Sequence, residues 1–182
     1  MTAASKRDAI LEAASALFLK HGLRGTSMEA IARAAGIAKP TLYAYFDDKN
    51  AVFSALAATL IAGWRADFRA ALNGPGDVVQ RIGAALTAKY KGSMQLLAES
   101  PHAEELYGEH DRLAAPQFRT LDAEMAKELE AQLTAARVVR ARLVTQVLLA
   151  AAYGIGHKAR AAAELGPALR LLAERLIRPE LP

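Results

Sequence analysis

Residues 26–49 read TSMEAIARAAGIAKPTLYAYFDDK, and two helices with a sharp turn between them follow from this stretch alone. Thr26 and Glu29 have the spacing of a capping box, in which the hydroxyl accepts from a free first-turn N–H and the carboxylate reaches back. Met28, Ile31, Ala32 and Ala35 recur at three- and four-residue intervals, the period of an apolar helix stripe. Gly36 then supplies a residue that takes the left-handed conformation cheaply at a helix end. After Ile37 and Ala38, Pro40 has the fixed φ that suits the first turn of a second, short helix. Leu42 and Phe46 form its inward side. At about 100° per residue, Pro40 and Ala44 fall on the opposite side, flanked by Thr41 and Tyr43, with Lys39 and Tyr45 nearer the seam. A face that is small at its centre and hydrogen-bonding at its flanks lets a helix approach the floor of a DNA major groove. Hydroxyls and an ammonium then reach bases and phosphates.

Working outward, residues 5–22 predict a bracing helix with Ile10, Leu11, Ala14, Leu17 and Phe18 as its buried stripe and Gly22 as its stop. Gly25 frees the chain before the cap. Thr26 and Ser27 place hydroxyls where a phosphate can rest over a helix N-terminus, although capping alone accounts for Ser27 equally well. After the turn at Asp47 and Asp48, an apolar-rich helix is predicted from Lys49 to Leu72, stopped by Asn73-Gly74-Pro75-Gly76. Val52, Phe53, Leu56 and Leu60 mark its first half, Trp64 and Phe68 its second, so it connects a head to the rest of the chain.

The segment resembles the N-terminal helix-turn-helix of the TetR family of transcriptional regulators. The likeness covers roughly residues 5–55 in one register: a capped helix, Ile31-Ala32, Ala35-Gly36-Ile37, Lys39, Thr41-Leu42-Tyr43, Phe46 and Lys49. Two positions depart from the family pattern. Ala38 stands where the family usually has Ser, which removes an N-cap hydroxyl worth about 1 kcal/mol, and Asn50 stands where an acid is usual. The resemblance implies an all-α fold, with a three-helix helix-turn-helix DNA-binding head at residues 1–48. A long helix joins this to a helical ligand-binding and dimerisation domain at 49–182. For contact with a double-stranded DNA operator, the outward face and its surroundings nominate Thr26, Ser27, Lys39, Pro40, Thr41, Tyr43, Tyr45 and Lys49. Thr41 and Tyr43 are expected to read bases; Ser27, Lys39, Tyr45 and Lys49 are expected to hold phosphates.

Composition agrees with a helical, non-catalytic reading. Apolar residues make up 53% of the 182-residue chain and aromatic ones only 6%, more apolar surface than a small monomer hides comfortably, so a cavity and a subunit interface are both expected. Cysteine is absent, which removes disulfides and thiolate chemistry, and no signal-peptide core is visible, so a cytoplasmic location is expected. The net charge of +4 favours an anionic partner only weakly. Residues 1–49 hold seven Lys or Arg against five acids and residues 50–182 sixteen against fourteen, so it is placement rather than excess that marks the head. Lys6, Arg7, Arg24, Lys39 and Lys49 fall at helix ends or loops around it.

The remaining chain predicts helices over 77–99, weakened at Gly83 and Gly92 with a break expected near Gly92, then 102–110, 116–135 and 137–162, and a last one opened by Gly166-Pro167. Leu143 to Gly156 is nearly uncharged but too short for a membrane span, which takes about 20 residues; no membrane partner is expected. Val144, Val147, Leu148, Ala151 and Ile155, with Leu165, Leu169, Leu172 and Leu176, form two apolar stripes that predict a four-helix homodimer interface. Trp64, Phe68, Tyr90, Met94, Tyr107, Phe118, Met125 and Tyr153 combine adaptable and hydroxyl-tipped side chains, the lining expected for a small, largely apolar effector. Each is equally explicable as ordinary core.

His102, Glu105 and Glu109 fall near one helix face and could hold a divalent metal, but a solvated acidic face explains them more simply, and no metal or cofactor is expected. Four scattered His, no Gly-rich phosphate loop and no HExxH argue against an enzyme. The reading is therefore a ligand-responsive DNA-binding regulator, a repressor released by its effector. Its alternative is a helical small-molecule or protein binding module that does not read an operator.

Overall fold

The computed structural model describes residues 3–97, 100–159 and 161–182, less the side chains of residues 3, 4, 93, 97, 107, 110 and 111. Among the described residues the regular elements are helices without strands: α1 (Ala3–His21), α2 (Met28–Ala34), α3 (Lys39–Tyr43), α4 (Lys49–Leu72), α5 (Val78–Leu97), α6 (Ala103–Leu113), α7 (Ala115–Ala135), α8 (Ala141–Lys158) and α9 (Ala162–Ile177), closed by a 3-10 turn at Arg178–Glu180. The chain is all-α, as expected. It divides into two compact units, Met1–Ile61 with Glu99–Phe118, and Ala62–Ala98 with Arg119–Pro182.

In the first unit the predicted stripes become the core. Ile10, Leu11, Ala14 and Phe18 of α1 are buried with Met28, Ile31 and Ala32 of α2, Leu42 and Phe46 around α3, and Val52 and Phe53 of α4. The rings of Phe18 and Phe53 meet at 5.8 Å. Gly22 and Gly36 have φ of 72° and 66°, the left-handed conformation a residue with Cβ resists. At Gly36 the helix stop is a Schellman motif. The N–H of Ile37 donates to the Ala32 carbonyl at 3.0 Å and that of Gly36 to Arg33 at 3.2 Å.

The expected Thr26–Glu29 capping box does not form. Ser27, not Thr26, is the N-cap of α2, its hydroxyl accepting from the Ala30 N–H at 3.2 Å. Thr26 is buried, and its hydroxyl donates backward to the Gly22 carbonyl at 2.7 Å. Either of the two adjacent hydroxyls can cap a helix, and the Gly22 carbonyl that takes the Thr26 hydroxyl leaves Ser27 to do so. α3 begins on Ala38 with no side-chain cap, in line with the departure noted there.

In the second unit, α9 packs on α5 and α8. The buried residues are Ile82, Ala85 and Leu86 of α5, Val144, Leu148 and Ala152 of α8, and Leu165, Leu169, Ala173 and Ile177 of α9. Gly83 allows the approach: a Cβ there would lie 3.2 Å from the Arg170 backbone. The break expected at Gly92 does not occur, and α5 runs unbroken, with the Trp64 indole seated on Gly92. Nor does Gly166-Pro167 open α9, which starts at Ala162 and holds Pro167 inside it. Pro167 is exposed there and forgoes one main-chain hydrogen bond.

α7 is tied to its neighbours by ion pairs, Arg65 to Glu124 at 2.8 Å, Arg69 to Glu128 at 2.6 Å and Lys89 to Asp122 at 2.7 Å. By length and composition Lys49–Leu72 is apolar enough to cross a membrane. Its Arg65 and Arg69 are instead paired with protein carboxylates, and its Val52, Phe53, Ile61, Phe68 and Leu72 are buried within the chain.

Candidate nucleic-acid interface

α2 and α3 form the candidate reading surface because their apolar sides are spent inside the head, α2 packing on α1 and α3 on α2. Leu42 is fully buried, and helical hydrogen bonding continues past α3, from the Ala44 N–H to Pro40 at 3.1 Å and from Phe46 to Leu42 at 3.0 Å. That winding leaves Lys39, Pro40, Tyr43 and Ala44 exposed, with Thr41 and Tyr45 half-buried at the flanks. Tyr43 is the one large apolar-bodied side chain exposed in this unit among those described, at 43%.

Lys39 is not free. Its ammonium pairs with Glu29 of α2 and lies 5.8 Å from the Tyr43 ring centre. Hydrogen bonding to Lys39, its strongest influence, holds the Glu29 carboxyl below the usual carboxylate range, and the same contact raises Lys39. Glu29 is spaced for a capping role, but its partner, Lys39, lies across the turn, where only the folded pair reveals it.

Two of the nominated DNA contacts are otherwise engaged. The Thr26 hydroxyl is buried, at 3% residue exposure, and so is not presented to a phosphate. Lys49 directs its ammonium at the carbonyls of Leu23, Arg24 and Thr26, at 2.9, 3.3 and 3.2 Å, which takes up all three of its N–H donors. It braces the α1–α2 loop from the first turn of α4. The same loop is gripped by α6, where Glu105 accepts from the Arg24 N–H at 2.9 Å, and by Ser100, which donates to the Leu19 carbonyl at 2.7 Å. Glu105 and Glu109 of the candidate metal cluster thus face Arg24, and among the described residues no group of three such side chains is placed to hold a metal.

The effector candidates are spread rather than gathered. Phe68 and Met125 are fully buried, Tyr90 is buried against Gly156, Trp64 leans on Gly92, and Met94 and Phe118 are half-buried. Tyr153 is 56% exposed and stacks on His157 at 3.9 Å. The side chain of Tyr107 lies outside the described residues. A surface hollow of about 700 Å³ is lined by Lys127, Glu130, Ala131, Thr134 and Ala135 and touches none of them.

The interface candidates also divide. Val144, Leu148, Leu165 and Leu169 are buried inside this chain, where they join α8 and α9 to the core, and cannot meet a second copy. Val147 is exposed, and Ala151, Ile155, Leu172 and Leu176 are half-buried. The sequence reading missed Leu143 and Leu171, exposed at 49% and 58%. The four-residue interval from Leu143 to Val147 was the signal, hidden because the neighbouring Val144–Leu148 stripe has the same period.

Residues 10–56, which contain this surface, match the family model of bacterial regulatory proteins, tetR family. The chain is 38% identical over 66 residues to the HTH-type transcriptional regulator RutR of Escherichia coli (strain K12), a match covering 36% of this chain and 31% of RutR. To the HTH-type transcriptional activator FasR of Mycolicibacterium smegmatis it is 30% identical over 112 residues, 62% of this chain and 49% of FasR. The chain thus spans from about a third to half the length of these curated relatives. The crystal structure of a TetR/AcrR transcriptional regulator from Thermobifida fusca YX-ER1 superposes with a TM-score of 0.70 at 23% identity, covering 92% of this chain and 95% of that one, and so shares its fold. The helix-turn-helix at residues 10–56 is thus similar in sequence to that of the tetR family of bacterial regulatory proteins, and the remaining helices share the fold of a solved TetR/AcrR regulator.

Proposed function

We propose that this protein is a ligand-responsive, DNA-binding transcriptional regulator, a repressor that binds a palindromic operator as a homodimer and leaves it when a small, largely apolar effector binds. The observation that carries this reading is the outward face of α3. Pro40 and Ala44 keep it low, while Thr41, Tyr43 and Lys39 line it. Tyr43 stands exposed although the opposite side of the same turn, Leu42, is sealed in the core. An aromatic phenol left in solvent on a single helical turn is accounted for by a groove it enters. Thr41 and Tyr43 read bases; Ser27 and Tyr45 lie where phosphates pass, and Lys39 stands beside them paired with Glu29.

Dimerisation is proposed through the exposed sides of α8 and α9. Apart from Tyr43, the large apolar side chains that stand in solvent among the described residues are Val139, Leu143, Val147, Tyr153 and Leu171, a concentration that marks an interaction surface. A two-fold dimer places two reading helices on half-sites about 10 bp apart or a multiple of it. For the effector, Trp64 and Tyr90 are the proposed gate, since each ring rests on a glycine, Gly92 or Gly156, and would yield to an entering ligand. FasR is named an activator, so repression is proposed on mechanism: an effector that removes the protein from DNA relieves whatever its presence blocks.

Selection of duplexes from a random pool, followed by sequencing, tests the reading. Enrichment of a two-fold symmetric motif is expected. A pool that stays unenriched, with no retained duplex, sinks it and favours a binding module that does not read DNA.

A further inference from the structure

The pairing of Lys39 with Glu29 puts a carboxylate on a surface meant for a polyanion. Glu29 and Lys39 have side-chain exposures of 55% and 53%, so nothing in the packing forces the contact. A free ammonium at this position would add one more phosphate contact to any duplex whatever its sequence, and such contacts supply nearly all of non-specific affinity. Glu29 takes that cation up first. It also fixes it: with its ammonium held by Glu29 on one side, Lys39 lies 5.8 Å from the Tyr43 ring, so the carboxylate, the ammonium and the phenol form one chain across the face. The pair lies astride the turn between α2 and α3.

We propose that Glu29 is a specificity-determining residue of the reading surface, withholding Lys39 from phosphates in general while keeping Lys39 and Tyr43 in the arrangement that meets the correct bases. This rests on the DNA-reading function proposed above. On unrelated DNA, Lys39 reaches a phosphate only by leaving Glu29, an exchange of one anion for another that also exposes a carboxylate to the duplex. On the operator the pair stays closed and Tyr43 engages from a fixed position. Glu29 therefore lowers affinity for the wrong sequence and leaves affinity for the right one level or higher.

The test compares the wild-type protein with Glu29→Gln, Lys39→Gln, the double variant and Glu12→Gln. The probes are a random-sequence duplex and the duplex that the wild type selects from a random pool, each titrated across a salt series. Glu12 is exposed on α1 and serves as a charge-matched control. E29Q is expected to tighten binding to the random duplex by up to about fivefold, the scale of one exposed ion pair. Its salt slope should steepen by about one unit as Lys39 becomes a phosphate contact. Affinity for the selected duplex should stay level or fall, so the ratio between the two drops. K39Q should leave random-duplex binding as in the wild type, and in its background the E29Q effect should vanish. Circular dichroism of each variant confirms that the helices persist.

The proposal is overturned if E29Q leaves random-duplex affinity and slope unchanged, if E12Q produces the same gain, or if the gain survives in the double variant. Wild-type protein that binds neither duplex overturns this proposal together with the DNA-reading function. Wild-type binding without these differences overturns the role of Glu29 alone.

Discussion

The ammonium of Lys49 lies 2.9 Å from the carbonyl oxygen of Leu23 and within 3.3 Å of two more carbonyls in the same loop, so the first turn of α4 holds the segment that leads into α2. Its charge serves the fold of the head before it serves any ligand. Lys49→Met should therefore lower stability by about 1.5–3 kcal/mol, the usual worth of hydrogen bonds to a charged group. The salt slope of DNA binding should stay unchanged. Thermal unfolding and a salt series measure the two separately. A slope reduced by about one unit at unchanged melting temperature would make Lys49 a phosphate contact instead.

The dimer surface can be separated from the core by substitutions four residues or fewer apart. Val147 is 44% exposed on α8 and its neighbour Leu148 is sealed at 0%. Val147→Glu combined with Leu171→Glu should give a folded, helical monomer that loses tight operator binding, since a single head meets only one half-site. Leu148→Glu should instead unfold the second unit, because an isolated carboxylate in that interior costs several kcal/mol. Sedimentation equilibrium decides the matter: a double variant that still sediments as a dimer removes α8 and α9 as the interface.

Much of the head was legible because its signals are local. Gly22 and Gly36 need a positive φ, Leu42 and Phe46 are spaced for one face, and α4 begins and ends where its lysine and its Asn-Gly-Pro-Gly stop place it. What stayed illegible depends on partners distant in sequence. Thr26 and Ser27 are interchangeable as caps until the Gly22 carbonyl claims Thr26. Glu29 and Lys49 each fit a local role, and only tertiary contact reassigns them to Lys39 and to the loop carbonyls. In α8 and α9 every stripe is apolar at the same period, so periodicity could not distinguish Val144 and Leu148, which face the chain's own core, from Leu143 and Val147, which face out.

Acid should weaken the start of α5. Asp77 accepts from the Gln80 N–H at 2.9 Å while its own N–H donates to the Gln80 side chain at 3.1 Å, and Arg178 reaches the other carboxylate oxygen at 3.0 Å. The Gln80 main-chain hydrogen bond first, and then Arg178, hold this carboxyl below the usual aspartate value. A depressed folded value means that the stabilisation is fully present above the unfolded-state pKa and is lost as pH falls through the folded one. The stability gap between wild type and Asp77→Asn, which keeps a capping side chain but no charge, should be constant near neutrality and close on acidification. A gap that widened in acid would show that the charge is not what the cap contributes.

Two glycines in helices should respond to the same substitution with opposite signs. At Gly63 of α4 an added Cβ meets nothing within 4 Å, so Gly63→Ala should stabilise by up to about 1 kcal/mol through the lower backbone entropy of the unfolded chain. At Gly156 of α8 an added Cβ would lie 2.8 Å from Cε1 of Tyr90, whose ring is buried at 8% exposure and has to move. Overpacking of this kind costs about 1–3 kcal/mol, which outweighs the propensity gain. Denaturant unfolding of the two variants reads the difference directly. The Gly156 result also bears on the effector, because the Tyr90 ring that the new methyl displaces is one of the two proposed to yield to a ligand. Gly156→Ala should therefore alter the affinity for an apolar effector as well as lower stability, whereas Gly63→Ala should leave that affinity alone. If Gly156→Ala is as stable as wild type and binds effector equally well, the seat of Tyr90 on Gly156 is not part of the ligand path.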